Sequence, residues 1–257
     1  MGQKIIPATR PGLVIFASLL LISTAHAGPS KERYSVDMEW GTAWQEKNDV
    51  QSPNTASGTR FSLSGLTGDG PYSAPRLQFT LPLNHRDDLR LVAAPLRIDE
   101  RGPLTGVVNF QGTNFTAGTA SATYRFDSYR ATWRRTINDS ADWVLKAGLT
   151  AKVRDAEITL RQSTSTASRS DTGFVPLLHF YAQKNLSERS RLIFDVDGLA
   201  SGRGRAFDLS LRAAYDFRSG LSGFVGVRLL DGGADNGSIY NFARFHYLTA
   251  GVTFKGL

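Results

Sequence analysis

The sequence contains no cysteine in its 257 residues. Disulfide bonds therefore cannot contribute to its stability, although exported proteins often depend on them. Stability must come instead from an apolar core or from a sheet that closes on itself. The charged fraction of 21% is too ordinary for a disordered chain, and the length allows one large β domain or two small ones.

No segment is apolar for long enough to cross a membrane as a helix. The longest apolar run, LVIFASLLLI at residues 13–22, is about half of the roughly 20 residues that a spanning helix needs. Basic residues precede this run, and the small-x-small sequence AHA at residues 25–27 follows it. This order is typical of a secretory signal peptide, so we predict a signal at residues 1–27 and a mature domain at residues 28–257.

A concentrated patch of positive charge is missing too. The formal net charge is +7, but the lysines and arginines are spread over many segments. A nucleic-acid-binding protein usually gathers its basic residues on one face or along one helix. We therefore expect no nucleic acid among the partners.

The chain does have a repeated two-residue alternation of apolar and polar side chains, seen best between residues 120 and 160. Every second residue from Trp143 to Val153 is apolar, and Lys146 and Lys152 are among the residues between them. A period of two predicts a long β-strand with one apolar and one polar face. The preceding strand has the same pattern with a one-residue slip near Asp127, where we predict a β-bulge.

Strands of this kind recur along the chain, joined alternately by short turns and longer polar connections, as in up-and-down barrels of the outer membrane. The predicted strands cover residues 34–45, 76–83, 89–98, two strands within 120–160, 174–183, 192–199, 207–217, 224–230 and 240–254. The predicted longer connections are 47–58, 99–118 with a small hairpin near 107–115, 162–172, 201–205 and 231–238. The barrel has about ten strands, or twelve if residues 59–66 form a strand rather than part of a folded loop.

Alternation alone does not say which face is inside, so a soluble secreted ligand-binding β-barrel is the competing fold. Charges of both signs on the polar face favour a wet or salt-bridged lumen, and Trp133 and Trp143 flank one short turn as in a membrane girdle. We therefore predict an all-β, antiparallel, up-and-down transmembrane β-barrel. The residues that we predict to face the lumen are Glu39, Arg125, Lys146, Lys152, Arg154, Asp195, Asp197, Asp208 and Arg212.

Several segments resemble a family of Gram-negative outer-membrane β-barrel proteins to which no activity is assigned. They are RDAEITL (154–160), GFVPLLHF (173–180), DVDGLASGRGRAFDLSL (195–211) and DGGADNGSIYNFARF (231–245). The resemblance extends from about Gly58 onward and implies the fold and a location in the cell outer membrane. Outer-membrane lipid and lipopolysaccharide would then surround the protein, and the barrel-assembly machinery would be its partner during biogenesis. The resemblance implies no functional residue.

The predicted function is a narrow channel, or a structural or surface-interaction role, with a charged lumen. The alternative is an outer-membrane enzyme acting on lipid A or peptide, with His179 as its base. No local spacing marks such a site, and a lumen histidine bonded to neighbouring charges is the simpler interpretation. Asp231, Asp235 and Asn236 lack the ligand order of a calcium loop, so we predict no metal and no cofactor. The sequence does not indicate an oligomeric state.

Overall fold

The computed structural model describes residues 34–256, which are almost entirely strands; the predicted signal peptide lies outside the described residues. The elements are β1 (Tyr34–Gln51), β2 (Phe61–Ser62), α1 (Leu63–Thr67), β3 (Tyr72–Pro82), β4 (Asp87–Ala94), β5 (Arg97–Leu104), β6 (Val108–Phe110), β7 (Thr113–Phe115), β8 (Gly118–Asp139), β9 (Trp143–Gln162), β10 (Ser165–Asn185), β11 (Ser190–Ser201), β12 (Gly204–Arg218), β13 (Leu221–Asn236) and β14 (Ile239–Gly256). Within the described part of the chain, no helix has the length and apolar character needed to cross a membrane.

The strands form one closed antiparallel barrel. From β8 to β14, neighbours in sequence are neighbours in the sheet, and β14 returns to pair with β1 along its whole length. β4 and β5 pair with β8 in one unbroken register, so together they form one strand of the barrel wall that is interrupted at Pro95 and Leu96. We call each such strand of the wall a stave. The barrel therefore has ten staves, as the alternation predicts. Residues 59–66 add no stave, because they contain only the two-residue β2 and most of the short helix α1.

The two ends of the barrel differ. At the turn end, short turns join β3 to β4, β8 to β9, β10 to β11 and β12 to β13. At the cap end, residues 52–71 and 105–117 pack onto the barrel, and they bring Leu63, Leu66 and Phe110 into its apolar core. The cap end therefore carries the extra elements, including α1 and the β6–β7 hairpin.

Three connections that were predicted to be long polar loops are strands instead. Residues 162–172, 201–205 and 231–238 belong to the β9–β10, β11–β12 and β13–β14 hairpins, each with a turn of only two residues outside the strands. Likewise, β1 continues to Gln51, into the predicted loop at 47–58. The prediction failed because these strand ends extend beyond the lipid, where an apolar outer face is no longer required and the alternation disappears.

The predicted β-bulge near Asp127 is absent. β8 and β9 pair there in unbroken register, with Asp127 opposite Asp155, and the register shifts instead between Thr136 and Asn138. The even-numbered residues of β8 therefore face inward on both sides of Asp127. The sequence pattern slips because the chemistry of the interior changes along the strand, while the backbone stays regular.

The change in side-chain chemistry along the inner face of β8 divides the interior into two layers. Tyr124 and Phe126 face an apolar core near the cap end, where Phe245 also lies fully buried. Further along the same face of β8, Arg130 and Arg134 are buried among charged side chains. One strand face thus supplies an apolar layer and then a charged layer.

Large apolar side chains are exposed in a band around the outside. In β9 they run from Trp143 to Val153, which corresponds to a height of about 25 Å for strands tilted by roughly 40°. This height matches the lipid-facing band of a transmembrane barrel. Other members are Met38, Trp40, Leu77, Leu81, Trp133, Leu149, Phe180, Phe194, Leu211, Val225, Val227, Leu248 and Phe254. A soluble barrel would leave this large area in contact with water.

A pair of substitutions tests the lipid band. Leu149→Arg places a charge near the middle of the band and is expected to lower the free energy of unfolding by about 2 to 4 kcal/mol in lipid bilayers. Val107→Arg lies at the cap end and is expected to cost less than about 1 kcal/mol. Urea unfolding in bilayers measures both. Equal effects would show that Leu149 does not face lipid.

Candidate functional site

Charged side chains from many staves meet in the lumen on the turn-end side of the apolar core. We call this group the ion-pair layer. Its members are Asp37, Glu39, Arg76, Asp88, Arg90, Arg130, Arg134, Lys146, His179, Asp195, Asp197, Asp208, Arg212 and Arg228. These residues can be charged because they lie on inward faces that the strand wall shields from lipid.

Arg90 lies at the centre of the layer, and its side chain is 0% exposed. Its Nη1 donates to both carboxylate oxygens of Asp195 at 2.8 Å, and its Nη2 donates to Asp197 at 2.8 Å. Arg130 then joins Asp197, at 2.7 Å, to Asp208, at 2.5 Å. The two arginines and three carboxylates form one continuous network across the lumen.

The network continues on both sides of this centre. Arg228 contacts Glu39 and also lies 3.4 Å from Asp208, while Arg212 donates to Asp37 at 3.2 Å. These contacts connect β12 and β13 to β1. The layer thereby links strands that are not neighbours in the sheet.

A separate cluster lies closer to the turn end. Asp88 accepts from Arg134 at 2.5 Å and from Lys146 at 2.6 Å. Asp88 follows the β3–β4 turn directly in sequence, and its partners come from the next staves, β8 and β9. In this cluster, one carboxylate therefore serves two cations from neighbouring staves.

His179 is enclosed within the layer, and its side chain is 0% exposed. Its Nδ1 lies 2.8 Å from Asp197 and 3.3 Å from Nη2 of Arg90. Its Nε2 has no hydrogen-bond partner among the described residues. A catalytic base must reach a substrate, but His179 does not line the cavity of about 400 Å³ that is described below.

His179, Asp195 and Asp197 bring three ligand atoms within 4.8 Å of one another. A metal ion would have to compete with Arg90, which already donates to both carboxylates. Asp197 also accepts from Thr150 at 2.7 Å. The group therefore fits an ion-pair network better than a metal site.

The structure places most of the residues that were predicted to face the lumen in or beside this layer. Members of the layer are Glu39, Lys146, Asp195, Asp197, Asp208 and Arg212, while Lys152 and Arg154 line the cavity described below. Only Arg125 lies elsewhere, on the outer face of β8. Its parity along β8 is opposite to that of Arg130, so the two side chains point to opposite sides of the sheet.

Arg125 belongs to a group of charged residues on the outer surface, on the cap-end side of the lipid band. We call this group the polar collar; it includes Arg97, Asp99, Arg125, Asp127 and Asp155. Arg125 donates to Asp155 at 2.5 Å and to Asp127 at 3.1 Å, and the hydrogen bond to Asp155 raises the pKa of Arg125 above its ordinary value. In the same collar, the hydrogen bond from Arg97 holds the pKa of Asp99 below its usual value. The prediction put Arg125 in the lumen because the expected bulge would have reversed the faces of β8 on the cap-end side of Asp127. Without the bulge, Arg125 faces outward.

A cavity of about 400 Å³ lies on the cap-end side of the ion-pair layer, mainly between β10, β11, β12 and β13. Its lining is mostly apolar and includes Tyr124, Phe126, Leu230 and Phe245. Lys152 also lines it and is only 3% exposed, with Nζ 5.0 Å from the centre of the Phe126 ring. The cavity therefore combines mostly apolar walls with the buried amine of Lys152, and its lining also includes Arg154, Arg203, Arg205 and Asp231.

Arg90, Arg130 and Arg228 are central to the layer but are absent from the predicted set. The signal for Arg130 is present in the sequence, because Tyr129 and Ala131 continue the outward apolar series on either side of it. Arg90 likewise lies between Leu89 and Leu91. Both arginines could be placed inside from alternation alone, whereas their carboxylate partners could not.

No protein-family profile and no curated protein sequence matches the chain. Among solved structures, the outer-membrane protease OmpT from Escherichia coli matches with a TM-score of 0.55 at 8% identity, over 86% of this chain and 96% of that chain. The transport unit of the autotransporter AIDA-I from Escherichia coli gives a TM-score of 0.42 at 8% identity, over 92% and 94% of the two chains. Ail, the attachment invasion locus protein of Yersinia pestis, gives 0.39 at 12% identity, over 86% and 99%. The likeness to OmpT shows the fold alone, which is that of a Gram-negative outer-membrane β-barrel.

Truncation of Arg90 tests the ion-pair layer. Arg90→Met leaves Asp195 and Asp197 buried beside an apolar side chain and is expected to destabilise the barrel by about 3 to 5 kcal/mol. Arg97→Ala removes an exposed pair in the collar and is expected to cost only about 0.2 to 1 kcal/mol. Urea unfolding measures both variants. A loss of stability for Arg90→Met no larger than for Arg97→Ala would contradict a dry, paired layer.

Proposed function

We propose that this protein is an outer-membrane β-barrel whose lumen is closed, and that it acts as a structural or surface-interaction protein rather than as a channel. The observation that carries the proposal is the burial of Arg90, whose side chain is 0% exposed at the centre of the lumen. In a barrel of about this size, inward side chains fill or nearly fill the interior. The ion-pair layer then leaves no continuous path for a solute.

The location in the outer membrane rests on three supports. They are the predicted signal peptide, the resemblance to a Gram-negative barrel family, and the lipid-facing band.

We further propose an orientation with the turn end in the periplasm and the cap end outside. Transmembrane barrels have short periplasmic turns and larger external segments. In this orientation, the polar collar and residues 52–71 face the cell surface, where lipopolysaccharide would surround them. The cap end, which carries α1 and the β6–β7 hairpin, would then be the part that meets external partners.

Planar-bilayer recording distinguishes the closed barrel from the narrow channel. The wild-type protein is expected to show no steady conductance, because no water-filled path crosses the ion-pair layer. A combined variant, Arg90→Ala with Arg130→Ala, Asp195→Ala and Asp197→Ala, removes the centre of the layer with balanced charge and is expected to conduct.

Either of two results would favour another function. A wild-type conductance whose ion selectivity changes in Lys152→Glu would support the channel. A change in lipid A mass on expression, lost in His179→Ala, would support the enzyme. The burial of His179 argues against the enzyme, because a substrate would have to enter the layer to reach Nε2.

A further inference from the structure

The wall of the barrel has an interruption between β10 and β11. Their backbone pairing runs from Asn185 and Arg191 to Leu178 and Gly198 and stops there. Beyond this point, residues 165–177 of β10 continue toward the cap end and pair with β9. Meanwhile, β11 continues along β12 to its end at Ser201. Residues 199–201 of β11 are therefore not joined to β10, and beyond them β11 has already turned back into β12.

Pro176 gives a local reason for this interruption. It lies two positions beyond the last paired residue of β10, and proline cannot donate a hydrogen bond to a neighbouring strand. The edge that β10 presents at this level is consequently a poor partner for β11. We call the resulting gap, bordered by residues 174–177 and 199–201, the slit.

The slit connects the cavity to the lipid band. Val175 and Pro176 on one edge and Ala200 on the other edge also line the cavity. On the outside, Phe174 is 67% exposed at the cap-end margin of the band, whereas Leu199, which shares the inner face of β11 with Asp197, is 39% exposed on the inner side of the slit. An apolar chain could therefore pass from the lipid into the cavity without crossing water.

Lys152 indicates the charge of the group that would bind inside. The neighbouring cations are paired, since the buried Arg130 contacts two carboxylates and the partly exposed Arg154 contacts Asp171. Among residues 34–256, no carboxylate oxygen lies within ion-pair distance of Lys152, and Asp197 and Asp208, which attract it over a longer distance, are already bridged by Arg130. A buried cation without a counter-ion is costly. An anionic group at the inner end of the cavity would remove that cost.

We propose that the cavity binds an anionic amphiphile, which has at least one apolar chain and a carboxylate or phosphate head, and which enters from the outer leaflet through the slit. The head contacts Lys152, and the chain lies along the apolar walls toward Phe174 and Leu199. The cavity volume of about 400 Å³ falls in the range of small-molecule sites, roughly 300 to 1,000 Å³. The proposal does not depend on whether the lumen conducts.

Isothermal titration calorimetry on the full-length protein in nonionic detergent tests the proposal. The probes are hexadecanoate, hexadecyl phosphate and hexadecanol, which share a chain and differ in the head group. Wild-type protein is expected to bind the two anions at least about tenfold more tightly than the neutral alcohol. Equal binding of all three probes, or no binding of any, would overturn the proposal without any variant.

Variants then assign the charge and the entrance. Lys152→Met is expected to weaken binding of the anions by about tenfold and to leave hexadecanol nearly unchanged. Lys152→Arg keeps the charge and should keep the preference for anions. Ala200→Trp fills the slit and should weaken binding of all three probes. An unchanged preference for anions in Lys152→Met would contradict the proposal.

Matched controls separate these effects from general changes in the barrel. Lys184→Met removes a lysine from the outer surface of β10, and Ala141→Trp adds the same bulk in an exposed turn. Both should bind like wild type. Folding of every variant is checked by circular dichroism and by the heat-dependent gel mobility of the barrel.

Native mass spectrometry distinguishes the source of the ligand. The protein is inserted into nanodiscs of phosphatidylglycerol, with or without hexadecanoate in the buffer. A bound mass of hexadecanoate would support a free acid, and a bound mass of phosphatidylglycerol would support a bilayer lipid. If neither mass were bound to wild-type protein, the proposal would be contradicted.

Discussion

The guanidinium group of Arg90 is buried, and the need to neutralise its charge determines how the lumen is filled. A charge that leaves water loses several kcal/mol of solvation even after the protein relaxes, and carboxylates in good geometry must offset that loss. Here the carboxylates come from β11, on the far side of the barrel from β4, and Arg130 from β8 binds one of them as well. The requirement for pairing therefore links opposite walls and closes the space between them.

The same constraint explains why the interior changes along the barrel axis. Inside the lipid band, the outer face must be apolar, and the charges that make a strand amphipathic can lie only in the lumen. Beyond the band, water contacts the outer face, so the collar around Arg125 lies outside and Tyr124 joins an apolar core within. Inside the band, β8 therefore has an apolar outer face and a charged inner face, as in a membrane barrel. Beyond the band, its outer face is polar and its inner face is apolar, as in a soluble barrel.

Alternation predicted the staves well because lipid imposes an apolar outer face on every strand that crosses it. The strand ends at 162–172 and 231–238 were missed because water imposes no such pattern. Alternation also identifies which side of the wall a residue such as Asp197 occupies, but not its partner across the lumen. That partner depends on the stagger of the closed sheet, which no single strand encodes. The slit shows the same limit: Pro176 is visible in the sequence, but the separation of β10 from β11 is a property of two strands.

The most direct test of a closed lumen is the access of water-soluble reagents to the ion-pair layer, which the absence of native cysteine makes simple. Thr132 is 0% exposed beside Arg90, and Ala141 lies in an exposed turn. The rate of maleimide labelling is compared for Thr132→Cys and Ala141→Cys in the folded barrel, with the unfolded proteins as reference. A closed lumen predicts rapid labelling at position 141 and almost none at position 132 until the barrel unfolds. Similar labelling rates at the two positions in the folded protein would contradict it.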